Sequence, residues 1–206
     1  MKIAVFGSTG GNGRLILTEA MGRGHAVTAF ARRPDALAEV TGLAAVVGGD
    51  ARDPADAGKA VAGQDAVIMT VSARGEPGAS TDIARAVVEA MAAEGVRRLV
   101  ATSAYGMVAT RPYVLAAVVR RAFRSVFADQ AAADQVVEAS GADWTILRAT
   151  RLTSSTATGP ARLSAQLFTK GPYSLARRAY AAALVDEAEN GAHVRHVINI
   201  TGGTHV

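Results

Sequence analysis

Residues 3–13 read Ile-Ala-Val-Phe-Gly-Ser-Thr-Gly-Gly-Asn-Gly. Four apolar residues, the length of a short strand, end at Gly7. Gly10 and Gly13 follow at three-residue intervals, and a helical pattern begins at once. A strand, a glycine turn and a helix start in this order form the setting in which backbone amides receive a dinucleotide pyrophosphate. Each glycine has a separate task. Gly7 permits the tight turn out of the strand. Gly10 leaves room for backbone to approach a phosphate, and Gly13 lets the helix pack close to the sheet. The helix N-terminus, with Gly11 in its first turn, then offers unpaired N–H groups and a partial positive charge. The spacing is GxxGxxG rather than GxGxxG. The flanking strand and helix give the motif its weight, because glycine is frequent in this chain.

Outward from this turn, strand-like and helix-like runs alternate. The reading predicts a helix over about Gly11–Arg23, a strand over His25–Ala31, a short helix over Pro34–Val40 and a strand over Ala44–Val47. A helix over Ala55–Ala62, a strand over Ala66–Val71 and a helix over Ser80–Glu94 follow, with Gly95 as its C-terminal cap. Arg98–Thr102 reads as the fifth strand. Val114–Ser140 reads as one long helix or two joined helices, and Trp144–Arg148 as the sixth strand. Thr150–Pro160 is rich in Ser, Thr and Gly and reads as a loop. Arg162–Ser174 reads as two short strands around Lys170-Gly171, Ala176–Ala188 as a helix and His196–Thr201 as the last strand. A βαβα order of this kind implies an α/β fold, a doubly wound Rossmann-type parallel sheet in three layers. No repeat, linker or low-complexity segment marks a boundary, so residues 1–206 are expected to form a single domain.

Composition narrows the classes. The chain has 206 residues, half of them hydrophobic and 19% charged. It has no cysteine, which excludes disulfides and thiolate metal sites and suits a reducing, cytoplasmic setting. No basic leader precedes the first apolar run, and no stretch reaches the ~20 apolar residues of a membrane span. The net charge is +4. The arginines are scattered and aromatics make up only 5%, so the charge reads as a solvated surface. Neither a nucleic acid nor a membrane is expected as a partner, and the chain is expected to be a monomer or a homodimer. Arg120, Arg121 and Arg124 read as the solvated face of a helix.

Ligands in such folds bind beyond the C-terminal strand ends, so the residues there are the candidates. Arg32 and Arg33 follow the second strand, where an NAD site usually places an acid for the ribose hydroxyl. Two arginines instead suit the 2′-phosphate of NADP(H). Thr9 and Asn12 can add polar contacts within the turn. Asp50 follows the third strand and can meet the adenine amino group, whereas Asp53, just before Pro54, reads as a helix cap. Val71 and Ser72 end the fourth strand. Thr102, Ser103 and Tyr105 follow the fifth, where a substrate would meet the nicotinamide. Ser103 is expected to hydrogen-bond substrate or ring, and Tyr105 to stack, donate a proton or simply pack. No tyrosine is followed four residues later by lysine, so the acid dyad of ordinary short-chain dehydrogenases is missing. His25, His193, His196 and His205 lack metal-ligand spacing and read as surface or capping residues.

The glycine turn, the two arginines, Leu-Val-Ala-Thr-Ser-Ala-Tyr-Gly (99–106) and Asp-Trp-Thr-Ile-Leu-Arg-Ala-Thr (143–150) together resemble the atypical short-chain dehydrogenases of the NAD(P)H-binding, NmrA-like group. The resemblance runs over nearly the whole chain and is closest to the flavin reductase (biliverdin reductase B) branch. It implies an NADPH-dependent oxidoreductase passing hydride to a flavin such as FMN or FAD, a quinone or a similar flat aromatic acceptor. A non-catalytic NADP(H) redox sensor is the alternative. Carried over by position, Gly7, Thr9, Gly10, Asn12 and Gly13 hold pyrophosphate, and Arg32 and Arg33 hold the 2′-phosphate. Asp50 and Ala51 flank adenine. Val71, Ser72, Thr102, Ser103, Ala149 and Thr150 line the nicotinamide side. Residues 104–113 and 149–180 would shape the acceptor pocket. The chain departs from the group twice. Arg148 precedes Ala149 rather than proline, and Ala176-Arg177-Arg178-Ala179 stands where a Ser-Arg-x-Asp motif is common.

Overall fold

A computed structural model of the chain describes residues 1–71, 76–155 and 161–203. Strand β1 (Lys2–Phe6) shows why this sequence makes a central parallel strand. Ile3 and Val5 enter one core cluster, Ala4 and Phe6 the other, and all four are fully buried. A strand buried on both faces needs apolar residues at successive positions, as here. It pairs in parallel with β2 (Ala26–Ala31) on one side and with β4 (Ala66–Met69) on the other. Adding β3 (Ala45–Gly48), β5 (Arg98–Ala104), β6 (Asp143–Ala149), β8 (Ala161–Ser164) and β10 (His196–Gly202) gives the order β3-β2-β1-β4-β5-β6-β10-β8. All pairings are parallel except β8 with β10.

Helices α1 (Gly11–Gly22) and α6 (Arg177–Asn190) cover one face, through Ile16, Leu17 and Ala20 and through Tyr180, Leu184 and Val185. Arg23, just past α1, sits 2.6 Å from Asp186 and 2.7 Å from Glu189 of α6 and ties the two helices together. Helices α2 (Pro54–Val61), α3 (Ala79–Ala93) and α5 (Arg124–Glu138) cover the other face. Helix α4 (Tyr113–Ala122) buries only Ala116. The three-layer doubly wound arrangement expected from the sequence is the one observed, and the sheet order reverses between β1 and β4.

Two local expectations are corrected, at Pro34–Val40 and at Thr150–Pro160, and two are sharpened. Pro34–Leu37 is a single 3-10 turn rather than a helix to Val40, because Val40 N–H bonds back only three residues, to Leu37. The segment from Val114 to Ser140 is two helices, broken at Phe123. The start of the loop at Thr150–Pro160 holds a strand, β7 (Arg151–Thr153). The two strands around Lys170-Gly171 exist, but they do not pair with each other. Strand β8 pairs with β10, and β9 (Ser174–Ala176) pairs with β7 in a separate two-stranded sheet.

Candidate functional site

At the reversal point the glycine turn runs from the end of β1 into α1. Gly7 has φ +84°, and a Cβ there would meet the Thr70 carbonyl oxygen at 2.6 Å. A Cβ on Gly13 would lie 2.1 Å from the Gly7 carbonyl oxygen and 2.7 Å from Ser8 Cα. Both positions therefore need glycine for the turn itself. A Cβ on Gly11 would meet nothing within 4 Å and so leaves open space beside the turn, whereas one on Gly10 would press on the Gly7 oxygen at 3.3 Å. Ser8 is fully buried and donates to the Phe30 carbonyl at 2.6 Å, which fixes the turn to β2.

No side chain caps the first turn of α1, and no acidic residue lies in it. The N–H dipoles there are left for an anion. One cation stands beside them: Arg177, the first residue of α6, donates from Nη1 to Asn12 Oδ1 at 3.1 Å. Past β2, Arg32 and Arg33 are exposed, and neither guanidinium group makes a hydrogen bond or ion pair with a described residue, although the Arg32 charge is near enough to help lower the Asp50 pKa. Arg14 of α1 donates to the Ala36 carbonyl at 2.6 Å and fastens the turn that follows them. The Asp50 carboxylate accepts from Arg52 at 2.6 to 3.0 Å, and this arginine holds it below its ordinary pKa. Ala51 beside it is buried. Asp53 caps α2, accepting from Ala55 N–H at 2.8 Å. Val71 is half-buried at the end of the fourth strand's run. Ser72 lies outside the described residues.

Beyond β5 and β6 the structure brings together residues that no local pattern connects. Ser103, Arg148 and Asn199 stand in register on adjacent strands β5, β6 and β10. Asp134 of α5 lies over this row. Its carboxylate accepts from Ser103 Oγ at 2.7 Å, Gln130 Nε2 at 3.1 Å and Arg148 Nη2 at 3.2 Å. Burial raises the Asp134 pKa, and the three partners oppose that rise without cancelling it. Arg148 Nε and Asn199 Oδ1 are buried without a partner. Thr102 is half-buried, and its carbonyl accepts from Gln130 Nε2 at 3.3 Å. Ala149 and Thr150 are buried, with the Thr150 hydroxyl bonded to that of Thr201 at 3.0 Å.

Of the roles open to Tyr105, the structure shows packing against Phe168. It is buried, its hydroxyl donates to the Phe168 carbonyl at 3.2 Å, and the Phe168 N–H donates back at 2.8 Å. Burial also raises its pKa. With its one proton committed to backbone, the side chain pins the segment after β5 against the segment before β9, the two rings lying 5.4 Å apart. The described histidines serve structure. His25 lies 2.6 Å from Glu189, His193 lies 2.5 Å from Glu187, and His196 bonds its neighbour's backbone. His205 lies outside the described residues. Among the described residues, no group of three or more metal-ligating side chains converges.

Sequence reasoning missed Gln130, Asp134, Asn199 and the placement of Arg177. One signal was present. Gln130, Asp134 and Val137 fall at i, i+4 and i+7, so two polar residues share a helix stripe with a core valine, and Asp134 is buried there. Polar residues on a core stripe mark a buried network.

A parallel sheet in this order, with a glycine turn and an uncapped helix N-terminus at its reversal point, defines a dinucleotide-binding protein of Rossmann type. The chain belongs to the NAD(P)H-binding family, whose profile matches residues 7–191. Among solved structures it is similar to ChuY, an anaerobillin reductase from Escherichia coli O157:H7, at 23% identity and a TM-score of 0.85, over 100% of this chain and 99% of that one. It is similar to the oxidoreductase ylbE from Lactococcus lactis at 21% identity and a TM-score of 0.84, over 100% and 93% of the two chains. A short-chain dehydrogenase/reductase from Veillonella parvula, solved in complex with NADP, matches at 19% identity and a TM-score of 0.80, over 100% and 96%. The NAD(P)H-binding family expected from the sequence is thus borne out, and at these identities the neighbours speak for the fold.

Proposed function

We propose that the protein is an NADPH-dependent reductase of a flat conjugated acceptor such as a flavin or quinone. The observation that carries the cofactor half is the pair Arg32 and Arg33 after β2, whose exposed guanidinium groups make no hydrogen bond or ion pair with a described residue, together with the uncapped α1 N-terminus. Two unpaired guanidinium groups about twenty residues past a glycine turn suit a phosphate on the adenine ribose, where an acid would suit a free hydroxyl. The Veillonella parvula neighbour's complex with NADP supports the same choice.

In this reading Gly7, Thr9, Gly10, Gly11, Asn12 and Gly13 receive the pyrophosphate through backbone and short polar side chains. Arg177, held at Asn12, adds a positive charge to the same phosphates. Asp50 and Ala51 flank the adenine. Val71, Ser72, Thr102, Ser103, Ala149 and Thr150 line the nicotinamide side. NADPH, when bound, supplies a hydride from C4 of its nicotinamide. The chain's task is then to hold an acceptor flat over that ring and exclude water. The Ser103 hydroxyl donates to Asp134, which leaves its oxygen lone pairs for an incoming N–H or O–H donor. Tyr105 and Phe168 form one wall. The absence of a tyrosine–lysine dyad fits an acceptor whose reduced form draws its proton from water, and the ChuY neighbour, an anaerobillin reductase, supports a reductase of this kind.

The test compares wild type with the Arg32→Ala/Arg33→Ala variant in titrations with NADPH and NADH. Two charge-assisted contacts at roughly 1.5–3 kcal/mol each predict that the variant weakens NADPH by at least about 100-fold and leaves NADH nearly unchanged. Equal losses for both cofactors overturn the phosphate assignment. Absence of NADPH oxidation with every flavin and quinone tried overturns the reductase.

A further inference from the structure

Helix α4 turns its apolar side to solvent. Tyr113 is 66% exposed, Val114 79%, Leu115 60%, Val118 58%, and Phe123 just past its end 52%. Only Ala116 points into the protein, toward Tyr105, Ala109 and Phe168. Val114 and Val118 are one turn apart, and Leu115 and Ala122 flank them, so the exposed residues form one stripe rather than scattered positions. Five of the nine large hydrophobics exposed among the described residues fall in this eleven-residue stretch. An apolar stripe this concentrated marks a surface that is covered in use.

The charge around the stripe has one sign. Between Glu94 and Asp129 the sequence holds no acidic residue, and Arg111, Arg120, Arg121 and Arg124 frame the helix. Arg120 is tied to the Ala109 carbonyl, and Arg111 lies over the Tyr113 ring. Arg121 and Arg124 are exposed, and their guanidinium groups make no hydrogen bond or ion pair with a described residue. A second copy docking through α4 about a two-fold axis would set one cationic stretch against another, with no acidic residue between Glu94 and Asp129 to neutralise them. A nucleic acid would take the arginines and leave the valines and leucine in water. A surface that is anionic outside and apolar just beneath satisfies both sets at once.

We propose that α4 is a peripheral docking helix for anionic lipid bilayers, with Val114, Leu115 and Val118 entering the headgroup boundary and Arg121 and Arg124 meeting the lipid phosphates. This differs from spanning: among the described residues no helix is long and apolar enough to cross a membrane. A short helix with an apolar face and arginine flanks lies in the plane of the interface instead. The inference stands on the helix alone and does not depend on the reductase reading. Its placement has a consequence for that reading, because α4 leads directly from the segment that Tyr105 holds against Phe168. An acceptor dissolved in the bilayer would then reach the pocket without crossing water.

The experiment is co-sedimentation of the full chain with vesicles of phosphatidylcholine alone and of phosphatidylcholine mixed with phosphatidylglycerol. Wild type is expected to bind the mixed vesicles and to leave them in high salt. The Arg121→Ala/Arg124→Ala variant is expected to bind them about 30-fold more weakly, roughly fivefold for each arginine near an anionic surface. The Val114→Glu/Val118→Glu variant should lose binding while its circular dichroism and Tm stay at the wild-type values, since both side chains face solvent. Failure of folded wild type to bind phosphatidylglycerol vesicles overturns the proposal. So does a stable wild-type dimer that Val118→Glu splits, or salt-sensitive binding to duplex DNA that the glutamate pair leaves intact.

Discussion

Replacing Gly13 by alanine isolates what the glycine turn demands. In an ordinary helix position alanine is favoured over glycine by about 0.5–1 kcal/mol. Gly11, two residues earlier, is such a position, because a Cβ there meets nothing within 4 Å. At Gly13 the same Cβ would sit 2.1 Å from the Gly7 oxygen and 2.7 and 2.8 Å from Ser8 backbone atoms. Relief requires a shift of about 1 Å in backbone, not in a side chain that can rotate. Gly7 cannot yield, since its own φ of +84° and the Thr70 carbonyl fix it. Overpacking of this kind costs about 1–3 kcal/mol, and rigid backbone on both sides puts Gly13 at the upper end. Gly13→Ala is therefore expected to lose about 2–3 kcal/mol of stability and Gly11→Ala to be neutral or stabilised, a gap of about 3 kcal/mol. Urea denaturation of both variants reads the gap directly. Because α1 must move off the turn to admit the Cβ, NADPH binding should also fall for Gly13→Ala by at least about tenfold. Equal stabilities for the two variants, within about 0.5 kcal/mol, would refute the close-packing account of the turn.

Three further outcomes are expected. Arg177→Ala should weaken NADPH and NADH alike, by about tenfold, because the pyrophosphate is common to both; a titration showing NADPH binding within twofold of wild type would remove Arg177 from the site. Asp134→Ala should cost about 3 kcal/mol by leaving the Arg148 charge buried and alone, and adding Arg148→Met should restore most of it; a denaturant double-mutant cycle with no coupling would show the pair to be incidental. Asp129 accepts from Ser80 N–H at 3.0 Å, Thr81 N–H at 3.2 Å and the Thr81 hydroxyl at 2.8 Å, capping α3. Partial burial pushes its pKa up, but these donors outweigh that and hold it below 3.8. A carboxylate with a lowered folded pKa stabilises above its ordinary value and loses that stabilisation as pH falls through the folded one. Asp129→Asn should therefore cost about 1 kcal/mol near pH 7, and the difference should shrink as pH falls below the ordinary carboxylate value of 3.8. A difference that is constant across that range would mean that the charge is not what caps the helix.

The glycine turn of the candidate cofactor site was legible because its information is local. Gly7, Gly10 and Gly13 fall within one turn of chain, and the strand before them announces itself by apolar residues on both faces. Arg32 and Arg33 come at the end of the next strand, so knowing the order of elements places them. The same reasoning failed between residues 150 and 176. The strand at Arg151–Thr153 pairs with Ser174–Ala176, and Ala161–Ser164 pairs with Asn199–Gly202. These partners lie more than twenty residues away, and nothing in a short polar strand says which edge it will join.

The buried polar row beyond β5 and β6 is set by register, which explains why a reading of motifs passes over it. Ser103, Arg148 and Asn199 become neighbours only because β5, β6 and β10 align them as direct partners. Side chains alternate between faces along a strand, so a slip of one residue would send Arg148 into the opposite face, under α1 and α6 and beside Leu184, Ile198 and Ile200, and bring Leu147 beneath Asp134. Burying an unpaired guanidinium among Leu184, Ile198 and Ile200 costs several kcal/mol, so the polar row also selects its own register. The polar row that includes Ser103, proposed for the nicotinamide side, is in this way also what aligns the last three parallel strands. A substitution meant to change the acceptor at Arg148 or Asp134 must therefore be judged on stability first, whereas one at Ser103, whose hydroxyl only donates to Asp134, can change the site while the strands stay in register.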